Sequence, residues 1–396
     1  MYHVFIVNDE TFKSHLEYLF AATGSSNEPI CLYNATYKDP NDKKGSKEKS
    51  IFKMVADVSR IRKGDKILFY LTQKSKKHEG MFFGVFNVVK RAFLDKQGNY
   101  PAMTKKLYYR IEIAPDKVFP LGITERDALD RLSDISHPSE MCWSLIYRKL
   151  KANRGCTMIT DNEAERLVKL LKQKNNNVVL SANNFSYDEN ECQIVSCDAG
   201  KIYNGYHDSI DVSARLITKF QTGAHEAHLQ AYILQHIDEQ SFCDLLHFDK
   251  SSNIWIGNEV SCGVGMQSID IMTQQETKDG VYINVIELKD ELPKEEIKNQ
   301  ISKYIEWLQD YIIPLHKNKN KKNKNKNIYI RPVIIAKCFS QQKKQLEFLL
   351  KCESMSFPSI FRNVQVLPVL YLGYKVNNSD INFFDVAKEL SIGTNE

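Results

Sequence analysis

Between residues 268 and 289 two apolar runs each present a carboxylate. The first is Ser268-Ile269-Asp270-Ile271, and the second, Val285-Ile286-Glu287-Leu288-Lys289, adds a lysine two positions beyond its acid. Thr277-Lys278-Asp279-Gly280 lies between them, and its Asp-Gly pair favours a tight reversal. A chain folded back about Lys278–Asp279 brings Asp270 opposite Glu287, with Cβ atoms roughly 5 Å apart. Strand alternation puts Glu287 and Lys289 on one face, with Ile286 and Leu288 on the other. Two adjoining carboxylates and a lysine suit a hard cation, which prefers oxygen ligands and lets a nearby water act as nucleophile. The same spacing also fits a surface hairpin carrying an ordinary ion pair.

Two helices must position such a hairpin. Ile297, Ile301, Tyr304, Ile305, Leu308 and Ile312 form an apolar stripe at helical spacing, and Gln300 enters its buried side. Upstream, Leu229, Ile233 and Ile237 form a second stripe, with Glu226 on its line one turn earlier. An amide and a carboxylate turned inward need partners, because unpaired buried polar groups are costly. A shared metal site supplies them; snorkelling at the helix flanks is the other reading.

This order of elements (the Glu226 helix, a strand at Trp255–Val260, the Asp270 strand, the Glu287-Leu288-Lys289 strand, the Gln300/Tyr304 helix) resembles the PD-(D/E)XK nuclease core. The similarity is to its RecB-like and mismatch-endonuclease branch and spans residues 216–375. Ile269 stands where the signature has proline, a position that varies in the superfamily. The resemblance implies a carboxy-terminal α/β restriction-endonuclease-like fold. Asp270 and Glu287 would ligate Mg²⁺ or Mn²⁺, Glu226 would complete the acidic cluster, and Lys289 would act beside the scissile phosphate. Gln300 would steady the site. Tyr304 reads as a packing residue, and Glu259 and Gln267 fall outside the catalytic set.

A chain of 396 residues is long for one core and suggests two domains. The net charge of +5 permits contact with nucleic acid without requiring it. No stretch reaches the roughly 18 apolar residues of a membrane span, and Met1–Asp9 reads as a strand rather than a secretion signal. The nine cysteines include no Cys-x-x-Cys spacing, which suits reduced thiols in a cytoplasmic protein better than disulfides or a zinc site.

Polar breaks at Lys174–Asn177 and Ser181–Asn184 place a linker over residues 176–215, between domains at 1–175 and 216–396. Lys317–Asn327 alternates lysine and asparagine, as a basic loop touching phosphates or a tolerated surface insertion would. Gln341–Cys352 and Val364–Leu372 read as a helix and a closing strand.

The first 175 residues read as a small curved sheet or barrel with short helices. Strand candidates are Tyr2–Val7, Ile30–Tyr33, Lys66–Leu71, Met81–Val89 and Leu107–Ile113, and Thr160–Glu163 has the form of a capping box. The phrase Lys63-Gly64-Asp65-Lys66-Ile67-Leu68-Phe69-Tyr70, followed by Gly80–Val85, resembles the EVE domain of the PUA-like superfamily. The ending from Trp143 through Thr160 is also similar. EVE and related YTH domains hold a modified nucleobase in an aromatic-walled pocket, where stacking retains a flipped base and polar groups select its substituent. Tyr33, Asn34, Tyr100 and Trp143 are the candidate positions; core packing is the other reading of Trp143, and core or surface roles are the other reading of Tyr33 and Tyr100. Arg60, Arg62 and Lys63 suit a solvated turn as well as a phosphate contact.

Joined, the halves resemble modification-dependent, type IV-like restriction endonucleases that act against modified invading DNA. The reading is of an amino-terminal reader and a metal-dependent endonuclease acting on duplex DNA, with no membrane role. One site cuts one strand, so a double-strand break calls for a homodimer or two events. Two alternatives stand beside it: a repair or structure-specific nuclease that uses the EVE-like part for docking, and a non-catalytic nucleic-acid-binding protein. RNA remains open as a ligand of the reader.

Overall fold

The computed structural model describes residues 1–392 apart from 26, 75–76, 99–100, 102, 148–154, 223–225, 251, 264–266, 320–325, 339–346, 349, 353–354 and 378–379. The chain divides into two compact α/β units, one of Met1–Tyr33 and Tyr37–Asp211, the other of Asn34–Thr36 and Val212–Glu396.

The first unit is built on a curled mixed sheet. Its strands are β1 (Tyr2–Val7), β2 (Phe20–Thr23), β3 (Lys66–Leu71), β4 (Met81–Val88), β5 (Phe93–Leu94), β6 (Tyr109–Pro115), β7 (Ile123–Thr124) and β8 (Cys156–Ile159). They run in the order β2-β6-β4-β3-β1-β8, with β5 beside β6 and β7 beside β4. β1 and β3 are parallel, pairing Phe5 with Phe69. Alternation gives this sheet two buried faces, because both sides are covered. Phe5, Phe69, Phe83 and Phe86 pack with Phe12 and Leu16 of helix α1 (Asp9–Tyr18). Val4, Leu68, Tyr70 and Phe82 share a second cluster with Leu167 and Leu171. The remaining helices of the unit are α2 (Ile30–Tyr33), α3 (Ser46–Ser59), α4 (Glu125–Leu129), α5 (Trp143–Tyr147) and α6 (Asp161–Lys174).

The capping box at α6 forms as expected. Glu163 Nα–H donates to Thr160 Oγ1, and Thr160 N–H donates to Glu163 Oε2 at 2.7 Å. Such a cap contributes about 1 kcal/mol. Buried Glu163 also receives Ser144 N–H at 2.8 Å, tying α5 to α6. His15, on α1, lies stacked on Phe69 and edge-on to Phe20, and neither ring nitrogen has a hydrogen-bond partner among the described residues. Burial, helped by the Arg110 charge, pulls its pKa down to about 3, so the imidazole is neutral.

Two sequence expectations are corrected here. Ile30–Tyr33 is the single helical turn α2 rather than a strand; a four-residue apolar run does not by itself distinguish the two, and Leu32 N–H bonds Pro29 O to close the turn. Residues 176–211 are not a linker but belong to the first unit. A hairpin of β9 (Phe185–Asp188) and β10 (Gln193–Ser196) buries Phe185, Tyr187 and Ile194 in the cluster around Phe12 and Phe83. Farther along, Tyr203 donates to Asp95 Oδ2 at 2.6 Å and accepts from Arg110 Nη1 at 2.8 Å. Asp95 and Arg110 are themselves buried and paired at 3.0 Å. With only two or three apolar residues among asparagines and acids, these short strands carry too little periodicity to stand out in the sequence.

The second unit begins with α7 (Ser213–Thr222), α8 (Glu226–His236) and α9 (Gln240–Leu246). There follow β11 (Ile254–Cys262), β12 (Gln267–Glu276), β13 (Gly280–Lys289), α10 (Ile297–Trp307), α11 (Ile313–Lys319) and β14 (Asn327–Lys337). The unit closes with β15 (Val364–Val366), β16 (Leu370–Asn377), β17 (Asp380–Asp385) and α12 (Val386–Ile392). Its sheet has the order β11-β12-β13-β14-β16-β17, with β15 beside β14. β13, β14 and β16 run parallel and the flanking pairs antiparallel. The return from β13 to β14 passes through α10 and α11, the helical crossover that a parallel pair requires. The central strands are apolar on both faces, as in Val281, Ile283, Val285, Ile286 and Leu288. Most of the lysine-asparagine tract (320–325) and the first half of the expected helix at 341–352 lie outside the described residues.

Candidate active site

The β12–β13 hairpin turns at Lys278–Asp279, where Thr277 N–H donates to Gly280 O at 2.8 Å and Glu276 pairs with Val281. The ladder continues to Ile271 opposite Ile286. One step farther, the register brings Asp270 against Glu287. Leu288 N–H donates to Asp270 Oδ2 at 2.8 Å, so the two strands are joined here by a side chain. No protein donor reaches Asp270 Oδ1 among the described residues.

Glu287 is almost wholly buried and fully engaged. Its Oε1 receives Lys289 Nζ at 2.6 Å and Gln300 Nε2 at 2.7 Å, while Tyr304 Oη lies 3.1 Å from Oε2. The single Tyr304 O–H proton is within donating reach of both Glu287 Oε2 and Ser268 O, the latter at 2.8 Å, and Gln300 also donates to the tyrosine oxygen. Gln300 and Tyr304, one turn apart on α10, therefore grip the same carboxylate. Tyr304, read from sequence as a packing residue, is buried and also belongs to the polar site; the i,i+4 spacing from Gln300 was its visible signal.

The electrostatics follow from this crowding. Burial first, and then the neighbouring Glu287 charge, push the Asp270 carboxyl well above the usual carboxylate range, against the pull of the Leu288 N–H. Burial also raises Glu287, although Lys289 and Tyr304 favour its ionised form. Burial works against the Lys289 ammonium, but Glu287, Glu226 and Asp270 outweigh it and raise its pKa. Two buried acids sharing one lysine leave excess negative charge, which a divalent cation would relieve.

Glu226 opens α8 and stays 41% exposed, with Oε1 at 3.5 Å from Lys289 Nζ. It thus meets the lysine rather than closing a three-carboxylate cluster, and no group of three His, Cys, Asp or Glu side chains is arranged to hold a metal among the described residues. The donor set still fits a hard cation at Asp270 and Glu287: one carboxylate oxygen is without a protein donor among the described residues, burial disfavours the ionised form of both acids, and the Glu287 charge adds to this at Asp270. Gln230, one turn after Glu226, was not singled out from the sequence; its Nε2 donates to the backbone carbonyl of Asp270 at 2.8 Å.

Of the four expected base-pocket residues, three lie among the described residues. Tyr33 is 44% exposed and donates to Glu28 Oε1 at 2.9 Å. Asn34 is exposed and folds back to accept from Thr36 Oγ1 at 3.0 Å, in a segment assigned to the second unit. Trp143 is half-buried on α5 with its indole N–H on Pro138 O at 2.8 Å. Tyr100 lies outside the described residues. Arg60, read as part of a basic turn, is fully buried and paired with Asp57 at 2.8 Å. All nine cysteines are free thiols, and no described helix is long and apolar enough to cross a membrane.

Neither a known family model nor a curated protein matches this chain.

Proposed function

We propose that the second unit is a divalent-metal-dependent nuclease site that hydrolyses DNA phosphodiester bonds, and that the first unit selects DNA carrying a modified base. The observation supporting this most is the meeting of Asp270, Glu287 and Lys289 on neighbouring strands, steadied by Gln300 and Tyr304. Asp270 and Glu287 would hold the ion, Mg²⁺ or Mn²⁺. When bound, it would lower the pKa of a water and neutralise charge on the phosphate. Lys289 stays protonated beside two glutamates and offers a fixed positive charge to developing charge on the phosphate oxygens. Gln300 and Tyr304 prevent Glu287 from turning away, which preserves the ligand geometry.

The selection of modified DNA rests on the resemblance of residues 60–85 and 143–160 to EVE domains. Within that reading Trp143 is the aromatic wall, since Tyr33 and Asn34 point to other partners. The deciding experiment is digestion of matched duplexes with methylated cytosine, hydroxymethylated cytosine, methylated adenine or no modification, each with Mg²⁺ and with chelator. Metal-dependent cutting confined to one modified duplex is the expected result. Cutting of unmodified flaps or mismatches would instead favour a repair nuclease, and binding without cutting would remove the enzymatic reading.

A further inference from the structure

Helix α8 carries two polar side chains on one face, Glu226 and Gln230, four residues apart. Glu226 reaches Lys289 on β13, and Gln230 reaches the Asp270 carbonyl on β12. The helix therefore touches both strands that bear the acids. At the same place the β11–β12 ladder is interrupted. Asn258 pairs with Ile271 and Val260 with Ile269, but the Glu259–Asp270 step is skipped, and Glu259 adopts a left-handed backbone (φ 49°). Asp270 thus lacks ladder pairing toward β11 and takes a side-chain donor from α8 instead.

Gln230 is 2% exposed, and its Oε1 is buried without a hydrogen-bond partner among the described residues. A leucine would fit such an apolar helix stripe without leaving a buried acceptor unpaired, which costs about 1–3 kcal/mol. Holding the Asp270 carbonyl is the one polar contact that the glutamine side chain makes among the described residues. We propose that Gln230 is a positioning residue of the nuclease site, fixing the backbone of Asp270 so that its carboxylate faces Glu287 at metal-binding distance. This rests on the nuclease reading above. Groups that orient a metal ligand from behind typically affect metal affinity or activity by about 10–100-fold when removed.

The test uses the full chain and Mn²⁺ as probe. Calorimetry measures Mn²⁺ affinity, and cleavage is followed against Mg²⁺ concentration, for wild type, Gln230→Leu, Gln230→Met and Asp270→Ala. Thermal melts establish folding. Folded Gln230 variants should bind Mn²⁺ about 10–100-fold more weakly and need correspondingly more Mg²⁺ for half-maximal cutting. Unchanged Mn²⁺ affinity in either folded Gln230 variant, with binding lost in Asp270→Ala, overturns the role of Gln230 alone. Wild-type Mn²⁺ binding in Asp270→Ala overturns the metal-site reading itself. If neither Gln230 variant folds, the glutamine is a core-stabilising residue and the proposal falls.

Discussion

Asp270 stands opposite Glu287 one step beyond the paired end of the β12–β13 ladder, and the Glu287 charge makes Asp270 harder to ionise. Neither acid could be spared if the pair holds a cation. Asp270→Ala or Glu287→Ala should therefore lower metal-dependent cleavage by about a thousandfold or more, since each removes a hard-cation ligand. DNA binding, measured by gel shift in chelator, should remain within a few-fold of wild type. Full Mg²⁺-dependent activity in either variant would dismiss the site.

The ammonium of Lys289 lies 2.6 Å from Glu287, and in the proposed mechanism it acts on the phosphate rather than the ion. Lys289→Ala should retain Mn²⁺ binding and lose turnover by about 10²–10³-fold, the scale seen on removing one preorganised charge-stabilising donor. Single-turnover cleavage at saturating metal checks this, and an unchanged rate would reduce the lysine to a structural counter-ion.

The first unit should need residues 176–211 to fold. A fragment ending at 175 loses Phe185, Tyr187 and Ile194 from the core and leaves Arg110 and Asp95 without Tyr203. Each buried aromatic or aliphatic side chain is worth about 1.5–3 kcal/mol. Residues 1–211 should melt cooperatively by circular dichroism, and residues 1–175 should not. Within the longer fragment, Asp95→Ala should cost about 3–5 kcal/mol by leaving a buried guanidinium uncompensated.

Acid should weaken the first unit through His15. Its folded pKa of about 3 lies below the ordinary value of 6.5, so between those pH values the unfolded chain binds a proton that the folded chain does not. Stability is therefore full above pH 6.5 and declines as pH falls toward 3, by a few kcal/mol on the scale of about 1.4 per unit. His15→Phe, which keeps an aromatic ring between Phe20 and Phe69, should flatten part of that decline. Urea titrations from pH 7 to 4 compare the two slopes, and identical slopes would exclude His15 as a source.

The division of labour between the units is testable by separation. Residues 212–396 should retain Mn²⁺ binding and lose any preference for modified DNA. In the full chain, a folded Trp143→Ala should weaken binding to the modified duplex more than to the unmodified one, by the roughly 1–3 kcal/mol that base stacking contributes. Undiminished discrimination by the isolated second unit would overturn the reader assignment.

What the sequence determined by itself is the local geometry of the acids. The Asp-Gly reversal and the alternation of two long apolar strands set the register, and the register sets which side chains are opposed; Asp270, Glu287 and Lys289 follow from counting. Helical spacing likewise delivered Gln300 to the same carboxylate. Tertiary structure decided everything that depends on partners distant in the chain. The hairpin at 185–196 is too short to show periodicity, so its place in the first core comes only from the phenylalanines it covers. Tyr304 and Gln230 look apolar or neutral within their own helices, and gain their roles from Glu287 and the Asp270 carbonyl across the fold. Whether Ile30–Tyr33 became a strand depended on a pairing partner, and the segment closes a helical turn instead. Backbone pattern is local and legible, whereas which buried polar atom meets which is fixed only when the helices pack on the sheet.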